Sequence, residues 1–195
     1  LILYPEIGMS SHTYMLGLMR LAPVQVVMAG HPNTTGLKEI DYFISSELIE
    51  QRDGYLNYTE QLIKFKNMPT AIRKAEAENS HLVIPGISQN TICVGITHAL
   101  FKMHHDFDEI LEELALSESN IQYIFFDTHN GLRQKLEQRW ESNKRQIRSI
   151  STFLNKVSHK DFINLLHKLD LMLDPLYFGS GTVFYQSMSV GLPVI

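Results

Sequence analysis

After Thr91, short apolar strand runs exchange regularly with helix-spaced apolar residues, and this alternation constrains the chain more than any other feature. Ile92–Thr97, Ile121–Asp127, Ile150–Leu154 and Leu171–Leu173 read as strands, and Pro193–Ile195 opens another. Between them, Phe107, Ile110, Leu111 and Leu114 recur at helical spacing within residues 104–116. Leu132, Leu136 and Trp140 share one helical face, and Phe162, Leu165, Leu166 and Leu169 mark a third helix. Ser158 with Asp161 three residues later predicts a capping box at its start. Thr182–Val190 reads as a fourth helix, stopped by Gly191. Strands alternating with helices of this length build βαβ units around a parallel sheet, an α/β architecture. Such sheets bind ligands outside the carboxyl ends of their strands, which is where chemistry is to be sought.

Residues 1–68 are less regular. Leu1–Tyr4 reads as a strand end stopped by Pro5, and Ser10–Leu21 as a helix capped by Ser10 or Ser11 and ended by Pro23. Val24–Ala29 and Ile40–Ser45 read as strands, residues 30–36 as a loop, and Tyr58–Phe65 as a helix. Residues 69–90 show no period; charges run from Arg73 to Glu78, then Pro85-Gly86 follows, and the segment reads as a linker between residues 1–68 and 91–195. With 195 residues, 44% of them hydrophobic, the chain can bury one large core or two small ones. The net charge of −4 is spread along the chain, and no basic block points to nucleic acid. No apolar stretch approaches the ~20 residues of a membrane-spanning helix. Cys93 is the single cysteine and reads as a buried strand thiol rather than a nucleophile; it suits a reducing, cytoplasmic setting. The chain begins without Met and stops in the apolar run Pro193-Val194-Ile195, so it is expected to be an internal piece of a longer protein.

The richest candidate site is the run from Leu173 to Thr182, Leu-Asp-Pro-Leu-Tyr-Phe-Gly-Ser-Gly-Thr. A strand ends there, a glycine-rich loop follows, and a helix begins near Thr182. The uncapped amides and dipole of a helix start make an anion site, and Gly179, Ser180 and Gly181 let backbone approach a phosphate; the other reading is a loop that merely turns the chain. Lys102 follows the strand Ile92–Thr97 and lies at the same expected edge, either as a neutralising cation for a diphosphate or as a solvated surface lysine. His31, Thr34 and Thr35 sit in the loop Gly-His-Pro-Asn-Thr-Thr-Gly, able to hydrogen-bond a sugar or phosphate or only the loop itself. His159 and Lys160 open a helix on the expected edge, as nucleotide contacts or as a capped surface turn. His104-His105-Asp106 suggests metal ligands, but adjacent histidines on a helix would point apart, so no metal is expected. Asp127-Thr128-His129 has no role beyond a loop. Walker, Gly-x-Gly-x-x-Gly and Gly-x-Ser-x-Gly signatures are absent.

Arg20-Leu21-Ala22-Pro23-Val24-Gln25 is followed by Gly30-His31-Pro32 with Thr34-Thr35-Gly36, and by Ile40-Asp41-Tyr42-Phe43-Ile44. The order continues through Leu100-Phe101-Lys102, His105-Asp106-Phe107-Asp108, Leu173-Asp174-Pro175, Gly179-Ser180-Gly181-Thr182 and Gly191-Leu192-Pro193. Together these pieces resemble the O-linked N-acetylglucosamine transferase family and its bacterial relatives, the cytoplasmic adhesin-modifying N-glycosyltransferases. The resemblance implies a GT-B fold, with residues 1–68 from the N-terminal lobe and 91–195 from a truncated nucleotide-sugar-binding lobe. It implies an inverting transferase that moves GlcNAc or glucose from a UDP-sugar to a protein, with no metal on the diphosphate. Lys102 falls on the family's diphosphate lysine and Thr182 on its phosphate loop. Gln186 falls where an acidic residue usually meets the ribose; glutamine still hydrogen-bonds a hydroxyl but offers no charged acceptor. Gly181 stands where the animal enzymes carry histidine. The competing expectations are a GT-B enzyme with a small-molecule or glycan acceptor, and a non-catalytic nucleotide-sugar-binding protein.

Overall fold

The computed structural model describes residues 1–28, 30–71, 73, 74, 83–127 and 131–195. Its chain divides into two compact units, Leu1–Ala71 and Ile72–Ile195. Among the described residues no helix is long and apolar enough to cross a membrane.

The first unit carries four parallel strands in chain order: β1 (Ile2–Tyr4), β2 (Gln25–Met28), β3 (Tyr42–Ser46) and β4 (Gln61–Phe65). Helix α1 (Ser11–Gly17) connects the first two and is shorter than the sequence predicts. Buried Gln25 explains where the helical region stops: its side chain accepts from the Leu21 amide (3.1 Å) and donates to the carbonyls of Met19 (3.0 Å) and Glu39 (2.8 Å). The backbone after α1 is thereby satisfied by a strand residue instead of by further helix. Arg20 and the Gln25 amide both donate to Asp41 Oδ2, at 2.7 and 2.8 Å. Tyr4, Ile7, Val27, Leu37, Ile40 and Phe43 form this unit's core.

The helix expected over Tyr58–Phe65 is a strand. All five residues of β4 pair in parallel with β3, from Tyr42↔Gln61 to Ser46↔Phe65. Tyr58, Leu62 and Phe65 fall at helical spacing, but β4 is an edge strand with only Leu62 half-buried. No core face imposes a period on it; main-chain pairing decides its conformation.

In the second unit the strands are β5 (Ile92–Ile96), β6 (Ile121–Asp127), β7 (Ser151–Asn155) and β8 (Leu171–Met172), all parallel in the order β7-β6-β5-β8. Val194 bridges Met172 in parallel beyond β8. The helices are α2 (His105–Ser117), α3 (Leu132–Trp140), α4 (Arg145–Ile150), α5 (His159–Leu166) and α6 (Thr182–Ser189). Phe107, Leu111, Leu136, Trp140 and Ile147 pack with Val94, Ile96, Tyr123 and Phe125. Ile163, Leu165, Leu166 and Leu192 pack with Cys93, Ile124, Phe126 and Met172. Neighbouring residues of β5 and β6 thus enter opposite cores, the period-two rule of a sheet covered on both faces. Ser158 caps α5 by accepting from the Asp161 amide (3.1 Å), as its sequence predicts. Helix α6 ends before Gly191, whose φ of 80° suits glycine. Helix α4 has no counterpart in the sequence reading; residues 128–130, with Thr128 and His129, lie outside the described residues.

The strand order reverses between β5 and β8. In open α/β sheets ligands bind at that point, outside the carboxyl ends of the two strands.

Candidate functional site

Two segments leave the sheet at this reversal. After β5, Thr97, His98 and Ala99 lead into a 3-10 turn, Leu100–Lys102. After β8, residues 173–181 lead into α6. They meet: Lys102 Nζ donates to the Gly179 carbonyl at 2.9 Å and lies 4.5 Å from the centre of the Phe178 ring. Asp174 holds the same loop, its Oδ1 accepting from the Ser180 amide at 2.9 Å. A Cβ on Gly179 would stand 2.9 Å from Asp174 Oδ2, so a larger residue would require the carboxylate to shift. Lys102 is half-buried, and burial draws its ammonium pKa down while the Asp174 charge acts in the opposite sense. An anion placed beside Lys102 would further favour its charged form.

Thr182 is the first residue of α6 and is exposed; Gly181 is the N-cap, and no side chain caps the first turn. The helix therefore presents its amino-terminal amides and positive end three residues from the carbonyl that Lys102 touches. Ser180 Oγ is buried with no hydrogen-bond partner among the described residues.

Beside this loop region, at the carboxyl edge of β5, β6 and β7, lies a cavity of about 250 Å³ lined by residues 97–99, Phe126, residues 156–159 and Phe162. His98 lines it; the residue is 3% exposed, and its Nδ1 has no hydrogen-bond partner among the described residues. Burial first, and the charge of Lys102 second, push the imidazole pKa down to about 3, so His98 is a neutral polar group facing a largely apolar cavity. His159 and Gln186 come together, Gln186 Nε2 donating to His159 Nε2 at 2.9 Å between the start of α5 and the middle of α6. Lys160 is the exposed second residue of α5, with its carbonyl accepting from Asn164 Nδ2 at 3.0 Å.

His31, Thr34 and Thr35 belong to the first unit. There the two threonine hydroxyls donate to Glu60, Thr34 Oγ1 to Oε2 at 2.6 Å and Thr35 Oγ1 to Oε1, with the Thr35 amide adding 2.8 Å to Oε1. Glu60 is 5% exposed. Burial alone would raise its pKa, but these hydrogen bonds outweigh burial and leave it lowered. The donor capacity of both hydroxyls is therefore spent on holding a buried carboxylate. His31 Nδ1 accepts from the Asn33 amide at 3.4 Å, leaving Nε2 as the donor.

His104 and His105 do not point apart. His104 is the N-cap of α2, with extended backbone (φ −74°, ψ 152°), so helical spacing does not govern it. The two rings lie 4.0 Å apart, and Asp106 meets both, His105 Nε2 at 3.0 Å and His104 Nδ1 at 3.4 Å. Three ligand-type atoms here lie within 4.8 Å of one another, so the argument from divergent side chains fails.

The sequence singles out Lys102, residues 179–182, His159, Lys160 and Gln186; it offers Asp106 only as a metal-ligand candidate, Asp174 and Tyr177 only within the 173–182 run, and His98 not at all. His98 and Asp174 had one available signal, their positions just past the ends of β5 and β8.

No protein-family model matches the chain. A SPINDLY protein of Eustoma exaltatum subsp. russellianum, a probable UDP-N-acetylglucosamine–peptide N-acetylglucosaminyltransferase, is 25% identical over 186 residues, 92% of this chain and 20% of its own. A UDP-glucose:protein N-beta-glucosyltransferase of Actinobacillus pleuropneumoniae is 24% identical over 195 residues, 96% of this chain and 30% of its own. Among solved structures, a Thermobaculum terrenum O-GlcNAc transferase aligns with a TM-score of 0.74 at 18% identity, over 90% of this chain and 34% of that one. The pneumococcal O-GlcNAc transferase GtfA aligns with a TM-score of 0.57 at 13% identity, over 97% of this chain and 40% of that one. The resemblance to the O-GlcNAc transferases thus holds in sequence and in fold, which is that of GT-B glycosyltransferases. The chain spans only 20 to 30% of the length of these two sequence relatives.

Proposed function

We propose that the parent protein is an inverting glycosyltransferase that moves GlcNAc or glucose from a UDP-sugar to a protein acceptor. The observation that carries this reading is the contact between the Lys102 ammonium and the 179–182 loop at the point where the strand order reverses. The names of the relatives, which act on peptides and proteins with UDP-GlcNAc or UDP-glucose, support the donor and acceptor classes. The single buried thiol, Cys93, is compatible with a cytoplasmic setting.

In this reading the diphosphate lies between Lys102 and the amino end of α6, and the nucleoside extends toward the cavity lined by His98, Val157, His159 and Phe162. Gln186 and His159, already paired, offer neutral hydrogen-bonding groups to the ribose. The acceptor nucleophile attacks the anomeric carbon from the face opposite UDP. The bond from that carbon to the β-phosphate oxygen breaks, and its electron pair leaves with UDP. Negative charge grows on that oxygen in the transition state, and Lys102 with the loop and helix amides stabilises it. The acceptor's proton goes to a base or to water; none of this chain's residues is assigned that part. The residues around Glu60 serve the first unit's own loop.

The test is transfer from a UDP-sugar by the parent protein and its Lys102→Ala variant. Transfer is expected to fall by about a hundredfold or more, with the unfolding midpoint unchanged. Wild-type turnover in the variant would exclude the assigned role.

A further inference from the structure

Tyr177 is the one non-glycine among the described residues with a positive φ, 65°. The left-handed region crowds a Cβ against backbone, and a residue other than glycine stays there only when its surroundings hold it. The core does not hold Tyr177, which is 78% exposed. Its hydroxyl does: it donates to Asp106 Oδ2 at 2.6 Å, and its ring stands edge-on to His104 with centroids 4.8 Å apart. Asp106 is itself braced, its Oδ1 3.0 Å from His105 Nε2.

The geometry points to Asp106 as a positioning residue that sets the phosphate loop through Tyr177. Lys102 and Asp106 lie four residues apart on the stretch after β5, and each grips the loop after β8. Asp106 takes the Tyr177 hydroxyl; Lys102 covers the Phe178 ring and takes the Gly179 carbonyl. On the other side Asp174 takes the Ser180 amide. Four successive loop residues are thus held, and Tyr177, the first of them, fixes the direction in which the chain enters the Gly179–Gly181 turn. Releasing its hydroxyl lets the left-handed residue relax, and the loop amides lose their alignment toward the anion before it arrives. This rests on the proposed donor site and adds to it a residue that touches no substrate.

The experiment is donor kinetics and UDP calorimetry on the parent protein with Tyr177→Phe, Asp106→Ala, Asp106→Asn and the Phe/Ala double variant. Tyr177→Phe keeps the ring against His104 and removes only the hydroxyl. Asparagine keeps an acceptor for that hydroxyl. Expected are a roughly tenfold rise in donor KM and UDP Kd for Tyr177→Phe and Asp106→Ala, with kcat falling as well because the same amides meet the charge that grows on the leaving oxygen. The double variant should be no worse than either single one, and Asp106→Asn should recover most of the loss. Wild-type KM in either single variant, additive losses, or a fall in kcat alone would overturn the assignment. Loss of UDP binding in Lys102→Ala with none in these variants overturns only the positioning role. A wild-type protein that binds no UDP overturns the donor site itself.

Discussion

His98 shows how a single residue can be conspicuous in the fold and nearly unmarked in the sequence. It stands one residue past Thr97, with only its place beyond a strand end to distinguish it from any loop histidine, yet the fold buries it against a cavity and beside Lys102. Its pKa falls from the ordinary 6.5 to about 3, so between those values the unfolded chain binds a proton that the folded chain refuses. Its contribution to stability therefore declines as pH drops from about 6.5 toward about 3, by up to ~1.4 kcal/mol per pH unit. Denaturant melts at pH 7 and pH 5 should show wild type losing more stability than His98→Gln over that step; parallel losses would contradict the burial of a neutral imidazole. Lys102 and the glycines at 179 and 181 were legible because strand ends and glycine-rich turns leave local marks. Asp174 was quoted only as part of a motif, since its grip on the Ser180 amide and its closeness to Gly179 depend on loop closure. The threonines at 34 and 35 were legible as polar loop residues, but their partner Glu60 lies some 25 positions away in sequence.

At the scale of elements, the strands of the second unit were readable because both of their faces enter cores and their apolar runs are dense. Two elements were not. The edge strand β4 buries too little to carry a period. Helix α4 has six residues, too few for a pattern, and Glu112 of α2 supplies its cap by accepting from the amides of Gln146 (3.3 Å) and Ile147 (2.9 Å). A start signal borrowed from another helix cannot be found by local inspection. The same helix α2 depends on α3: Arg139 Nε and Nη2 donate to the two oxygens of buried Asp108 at 2.6 and 2.8 Å, and Nη1 donates to the Met103 carbonyl at 3.1 Å. Arg139→Ala strands that carboxylate, and about 3 kcal/mol of stability is expected to go with it. Arg139→Lys should restore only part, because an ammonium cannot match both oxygens in the planar way a guanidinium does. An unchanged unfolding midpoint in Arg139→Ala would show that solvent replaces the pair.

For the whole molecule, two parallel sheets in two compact units make a scaffold whose second sheet has one reversal of strand order, and the candidate chemistry gathers there. The sequence reading anticipated that location from the alternation after Thr91 together with the rule for parallel sheets. It brings Lys102 and the 179–182 loop to one sheet edge; the direct bond from the Lys102 ammonium to the Gly179 carbonyl, 77 residues away, is visible only in the fold. The chain covers 20% and 30% of the lengths of the two sequence relatives. The central claim concerns phosphate: a half-buried cation and a helix mouth act on one pyrophosphate group. Calorimetric titration of UDP and of uridine into the parent protein and its Lys102→Ala variant tests this directly. The account predicts that the variant binds UDP at least tenfold more weakly while its affinity for uridine, which carries no phosphate, is unchanged. Equal UDP affinity in the two proteins, or an equal loss for both ligands, would contradict it.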